Sequence, residues 1–124
     1  MLFFICGCAS HYIKTNTGLE YIILKKGEGE KVTIGDEILL YETTSYRNGT
    51  VLYSNENSGN PIKIKVGAGQ VTTAGEEGLQ GMRTGEIKQL IATPNLVKRT
   101  FYPENISPDS TLVIKLILHK ILPK

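Results

Sequence analysis

The run TLVIKLILHKI (residues 111–121) places Leu112, Ile114, Leu116 and Leu118 at every second position. Side chains of a β-strand alternate between faces, so these residues share one face while Lys115 and His119 point the other way. A long strand with one apolar face requires a sheet covered on that side and wet on the other. The rest of the chain agrees. IKIKV (62–66) sets Ile62, Ile64 and Val66 against Lys63 and Lys65. VTIGDEILLYETTSYRNGTVLYS holds two strand-like runs on either side of Asn48-Gly49, a strong hairpin signal. GLEYIILKKGEG is β-rich and ends in Gly27 and Gly29, and EIKQLIA (86–92) follows a turn at Gly85. His119 reads as a surface residue at a strand end.

Only VTTAGEEGLQGM (71–82) reads as helical. Thr73-x-x-Glu76 fits the capping box, and Glu76 and Glu77 suit the positive end of the helix macrodipole. Gly75, Gly78 and Gly81 argue against it, since each glycine in a helix costs roughly 1 kcal/mol relative to alanine. A helix kept despite its own residues must draw stability from packing. Between Pro94 and Pro108, NLVKRTFYPENIS shows no sustained period and reads as loop. The pattern predicts an α+β domain of about five antiparallel strands and one short helix.

Length and composition bound the function. At 124 residues, 40% hydrophobic and 21% charged, the chain has the make-up of a single globular domain. A net charge of +2, with scattered lysines, leaves no footprint for nucleic acid. VGAGQV lacks the lysine and helix of a phosphate loop, and no metal, nucleotide or other cofactor is expected. A monomer is the default expectation.

Both cysteines, Cys6 and Cys8, fall within MLFFICGCAS. A Cys-x-Cys metal or redox site lacks accompanying ligands, His11 being a poor third. A buried first strand would be short. The third reading is the tail of a secretory signal, with its apolar core and small-residue end. Ile5-Cys6-Gly7-Cys8 resembles the bacterial lipobox, with Cys8 as the lipid acceptor, although Cys6 is an unusual occupant and no Lys or Arg precedes Lys14. On this reading residues 1–16 are signal remnant and polar tether, residues 17–124 are the folded domain, and the protein is lipid-anchored at the bacterial cell envelope. Without the lipobox it would be cytoplasmic. No other segment approaches the length of a transmembrane helix.

Taken in order, GLEYIILKKGEG, VTIGDEILLYETT, NGTVLYS, NPIKIKVGAGQV, EEGLQGM and TLVIKLILHKI resemble the FKBP-type peptidyl-prolyl isomerases over roughly residues 17–121. The match includes one extra residue near the 43–49 turn and a shortened loop around 99–104. EEGLQGM followed by Gly85-Glu86 and a strand, with VGAGQV upstream, is its most specific part. The resemblance implies a curved antiparallel sheet wrapped around one short helix, with a peptide pocket between them. It also implies an enzyme that assists protein folding and takes proline-containing or unfolded polypeptides as partners.

Rotation about an X-Pro bond faces a resonance barrier of roughly 18–20 kcal/mol. Catalysis needs no nucleophile or proton transfer, only a pocket that binds the twisted amide better than the planar forms. The family uses a ring of aromatics over a tryptophan floor. Carried over residue by residue, the strand tyrosine is Tyr41, the backbone-contacting pair is Val71-Thr72, and the tryptophan position is Gly75. The wall phenylalanines become Leu52, Ile62 and Ile114, and the acid beside the first becomes Tyr53. The loop tyrosine becomes Lys98, and Ile106 keeps an apolar side chain. Tyr53, Tyr46 or Tyr102 would be needed to return an aromatic ring. A buried tryptophan covers about 150–250 Å², an upper bound near 4–6 kcal/mol of contact surface. The resemblance therefore implies an isomerase of reduced activity, or a non-catalytic peptide-binding chaperone. A purely structural domain is the weakest reading. Each residue also has a plainer role: Leu52, Ile62 and Ile114 sit at core periodicity, and Lys98-Arg99 suits a solvated loop.

Overall fold

The computed structural model describes residues 11–124. The strand-like runs form strands β2 (Glu20–Lys25), β3 (Glu28–Lys31), β4 (Glu37–Tyr46), β5 (Val51–Ser54), β6 (Ile62–Lys65), β8 (Ile87–Ala92) and β9 (Leu112–Ile121). Two short ones precede or separate them, β1 (Ile13–Lys14) and β7 (Arg83–Thr84). The main sheet runs β1-β2-β8-β9-β4-β5, with β6 also paired to β4, while β3 and β7 make a separate ribbon. All pairings are antiparallel. This curved sheet wraps one short helix, α1 (Thr73–Leu79).

The inward face of β9 is the alternating set Leu112, Ile114, Leu116 and Leu118, all buried. They join Ile38, Leu40, Leu79, Met82 and Leu90 in one core between sheet and helix. At the β4–β5 turn Gly49 takes φ +93°, as the Asn-Gly signal requires. The Asn48 side chain accepts from the Thr50 amide at 3.0 Å. Gly27 is required by close approach: a Cβ there would lie 2.5 Å from the Arg83 carbonyl oxygen.

The body starts earlier than residue 17. Ile13 pairs with Tyr21 and Lys14 with Glu20, while the Tyr12 hydroxyl accepts from the Gln89 side chain at 2.7 Å. Residues from Tyr12 on therefore extend the sheet instead of serving as tether. Cys8 and the rest of the lipobox lie outside the described residues. Among those described, no helix is long and apolar enough to cross a membrane.

The helix is capped one residue before the expected position. Thr72 has the extended conformation of an N-cap, and its hydroxyl oxygen accepts from the Gly75 amide at 3.3 Å. Thr73 is already helical. Glu76 does not close a capping box. Its two carboxylate oxygens each accept at 2.9 Å, one from the Gly67 amide and one from the Gly69 amide. The preceding loop is thus clamped to the helix. Glu77 accepts from the Thr17 hydroxyl at 2.5 Å, so the two acids hold two different segments.

Candidate functional site

Between α1, the inner face of the sheet and the loop spanning residues 97–106 lies an open cavity of about 740 Å³. It reaches down to Leu40, Leu79 and Leu116, which are among the most buried side chains of the described residues. Of the residues singled out from the sequence, Leu52, Tyr53, Ile62, Val71, Thr72, Gly75, Lys98, Ile106 and Ile114 line it. Tyr41 and Tyr102 do not.

Tyr41 is on the wrong face of β4. Leu40, Glu42 and Thr44 look into the cavity, so Tyr41, between them, looks out and packs edge-on against His119 with ring centroids 5.6 Å apart. A shift of one residue exchanges the faces of a strand. The tyrosine assignment relied on an extra residue before the hairpin; without it, the inward position at this level of the strand is Glu42. His119 is an exposed residue near the end of β9, as expected, and Tyr41 packs against it there.

None of the three candidate tyrosines restores a ring to the floor. Tyr46 donates its hydroxyl to the Asn105 carbonyl at 2.7 Å and accepts from the Ser107 amide at 2.9 Å, latching the loop to β4. The Asn105 side chain donates to the Leu52 carbonyl at 3.1 Å, a second tie from loop to sheet. Tyr102 accepts from the Arg99 amide at 3.2 Å. Tyr53 stays at the mouth, 45% exposed, as does a residue that sequence reasoning missed: Phe101, which lines the rim at 78% exposure. The flat rings sit at the mouth; the depth is aliphatic.

Gly75 lines the cavity. A Cβ at this position would lie 3.0 Å from Val71 Cγ2 and 3.1 Å from Val71 Cβ, so it would press on the cavity wall. Gly78, one turn on, is different. A Cβ there would lie 2.6 Å from Leu90 Cδ1 and 3.3 Å from Leu116 Cδ1, within the core. The glycine at 78 lets the helix press into the sheet, against side chains and not backbone.

Behind the helix sits Lys88, also missed, although it alternates with Leu90 and Ala92 on the inward face of β8. It is 8% exposed, donates to the Gly78 carbonyl at 2.8 Å and lies 4.9 Å from the centre of the Tyr21 ring. A cation near the C-terminal carbonyls of a helix is electrostatically favourable. Burial nevertheless holds its pKa below the usual 10.5, with Glu86 and Glu77 partly opposing that shift. At the β3–β4 turn, the Thr33 amide holds the Asp36 carboxyl below its usual value of 3.8, despite burial, and Lys124 assists.

A hollow with aliphatic walls, backbone on one side and a loop latched over it suits a bent apolar peptide segment. The comparisons agree with that geometry. The family model described as FKBP-type peptidyl-prolyl cis-trans isomerase matches residues 25–119. FK506-binding protein 1 of Dictyostelium discoideum is 35% identical over 102 residues, covering 82% of this chain and 95% of that protein. Peptidyl-prolyl cis-trans isomerase Mip of Chlamydia muridarum is 33% identical over 100 residues, covering 81% of this chain but only 40% of the relative. Among solved structures, FkpA from Escherichia coli shares the fold at a TM-score of 0.80 and 24% identity, over 92% of this chain and 53% of that one. The chain belongs to the FKBP-type peptidyl-prolyl cis-trans isomerases.

Proposed function

We propose that this domain turns over prolyl bonds slowly, through a pocket that stabilises the twisted amide by desolvation and shape, without stacking it on a ring. The proline would rest among Val71, Ile62, Ile106, Ile114 and Gly75, with the Val71-Thr72 backbone alongside and Lys98 and Tyr53 around the opening. A twisted amide has lost part of its charge separation, so an apolar hollow favours it over the planar, better solvated forms. The observation that carries this reading is the open cavity that Gly75 lines together with Leu52, Ile62, Val71 and Ile114. Losing about 2 kcal/mol of transition-state stabilisation slows a reaction about 30-fold, and here a floor and several walls differ together.

A protease-coupled assay on short Leu-Pro peptides tests this. Acceleration above buffer that scales with protein concentration supports a slow isomerase. Peptide binding with rates equal to buffer would leave the second reading, a peptide-holding chaperone, which the missing floor favours. The resemblance of Ile5-Cys6-Gly7-Cys8 to a lipobox further supports a lipid anchor at the bacterial cell envelope. Mass spectrometry of the native protein should then find acyl groups on Cys8, and an unmodified cysteine would end that part.

A further inference from the structure

We propose that Glu42 makes this pocket select prolines flanked by a basic residue. The inference rests on the isomerase reading of the same cavity and adds a substrate class to it.

Glu42 is partly buried on the inward face of β4, directly across from Leu116 on β9 and flanked by Leu40 and Thr44. Its backbone is fixed: the amide donates to the Asn55 side chain at 2.7 Å and the carbonyl accepts from the Asn55 amide at 3.2 Å. One carboxylate oxygen, Oε2, accepts from the Thr44 hydroxyl at 2.7 Å. The other has no hydrogen-bond partner among the described residues, and none of their ion pairs involves Glu42. A carboxylate is thus held by one neutral hydroxyl against an aliphatic wall, without a cation of its own. Charges in such surroundings interact more strongly than charges in water.

The other charged groups on the cavity wall are Lys98 and Arg99, both exposed on the loop. Solvent and salt screen them far more than Glu42. A ligand entering the cavity therefore meets an uncompensated negative charge in its interior and screened positive charges at its lip. A lysine or arginine beside the proline reaches inward with a long apolar stem and supplies the missing cation. An acidic residue there would face Glu42 across a partly desolvated gap.

The test measures kcat/KM for peptides carrying Lys, Leu or Glu immediately before the proline, and for a second set with the same residues immediately after it. In at least one set Lys should exceed Glu by about tenfold, since placing like charges together in a binding site is strongly disfavoured. In Glu42→Gln the Lys-to-Glu ratio should fall towards one. With the wild-type protein the same ratio should shrink as salt is added, a readout that needs no variant. Equal ratios in wild type and variant, or a preference for Glu through Lys98 and Arg99, would overturn the proposal. If no peptide is accelerated, it is the isomerase reading that fails.

Discussion

Gly75 and Gly78 stand one turn apart on the same helix, and they face different surroundings. At Gly78 the helix meets the sheet so closely that a single carbon would intrude on Leu90 and Leu116. At Gly75 the helix faces the cavity, and an added carbon would press on Val71 of the cavity wall, 3.0 Å from its Cγ2 and 3.1 Å from its Cβ. One glycine meets the core, and the other meets the wall of the cavity. The comparison shows that the helix is secured from its sheet side by Gly78 and Lys88, so the cavity side can differ from the family's aromatic floor without threatening the fold.

The sharpest way to break this contrast is Gly78→Ala. Overpacking should reduce stability by roughly 1–3 kcal/mol in urea unfolding, despite alanine's better helix propensity. Gly75→Ala should stay within about 1 kcal/mol of wild type, because propensity gain and the displacement of Val71 offset each other. Equal losses at the two sites would erase the distinction. Next comes restoration of the floor. Gly75→Trp with Ile62→Phe should raise kcat/KM on Leu-Pro peptides, about 30-fold if 2 kcal/mol of transition-state contact returns; no change would mean that the space is unsuited to a ring. Glu76→Gln weakens two charge-assisted bonds to the loop that precedes the helix, and a loss of about 1 kcal/mol in unfolding free energy is expected, with weaker peptide binding.

The smallest effect concerns Lys88. Its folded pKa is below 10.5, so between that value and 10.5 the unfolded chain holds a proton the folded chain lacks. Stability from this group therefore rises as pH increases through the folded pKa towards 10.5, and the penalty of burying the cation is present below it. Urea midpoints across that range should climb in wild type and climb less in Lys88→Met. Parallel curves would show that Lys88 is solvated in the folded protein.

Much of the fold was legible because strands announce themselves locally. The alternation of Leu112, Ile114, Leu116 and Leu118, the Ile62-Ile64-Val66 set and the Asn48-Gly49 turn each carry their meaning within a few residues. The site was legible only where chain counting was safe. Tyr41 was misplaced because one assumed extra residue swaps the faces of β4, and the same slip hid Glu42. Thr72 and Thr73 are equally good caps by composition; only backbone conformation separates them. Lys88 had a signal in the period-two pattern of IKQLIA, where it falls in phase with Leu90 and Ala92. The Tyr46 latch had none, since its partners Asn105 and Ser107 are distant in sequence. Likewise Glu76 looked like helix-start electrostatics because nothing local shows a side chain turning back to Gly67 and Gly69.

On the reading proposed above, an aliphatic hollow lined by Gly75 receives and turns a prolyl bond. Exchange NMR on a Leu-Pro peptide with the wild-type protein tests it most directly, because cis–trans interconversion and the contacted residues are observed together. Interconversion should be faster than in buffer, with resonance changes concentrated at Val71, Ile62 and Ile114. Interconversion at the buffer rate, with those resonances unmoved at saturating peptide, would contradict it.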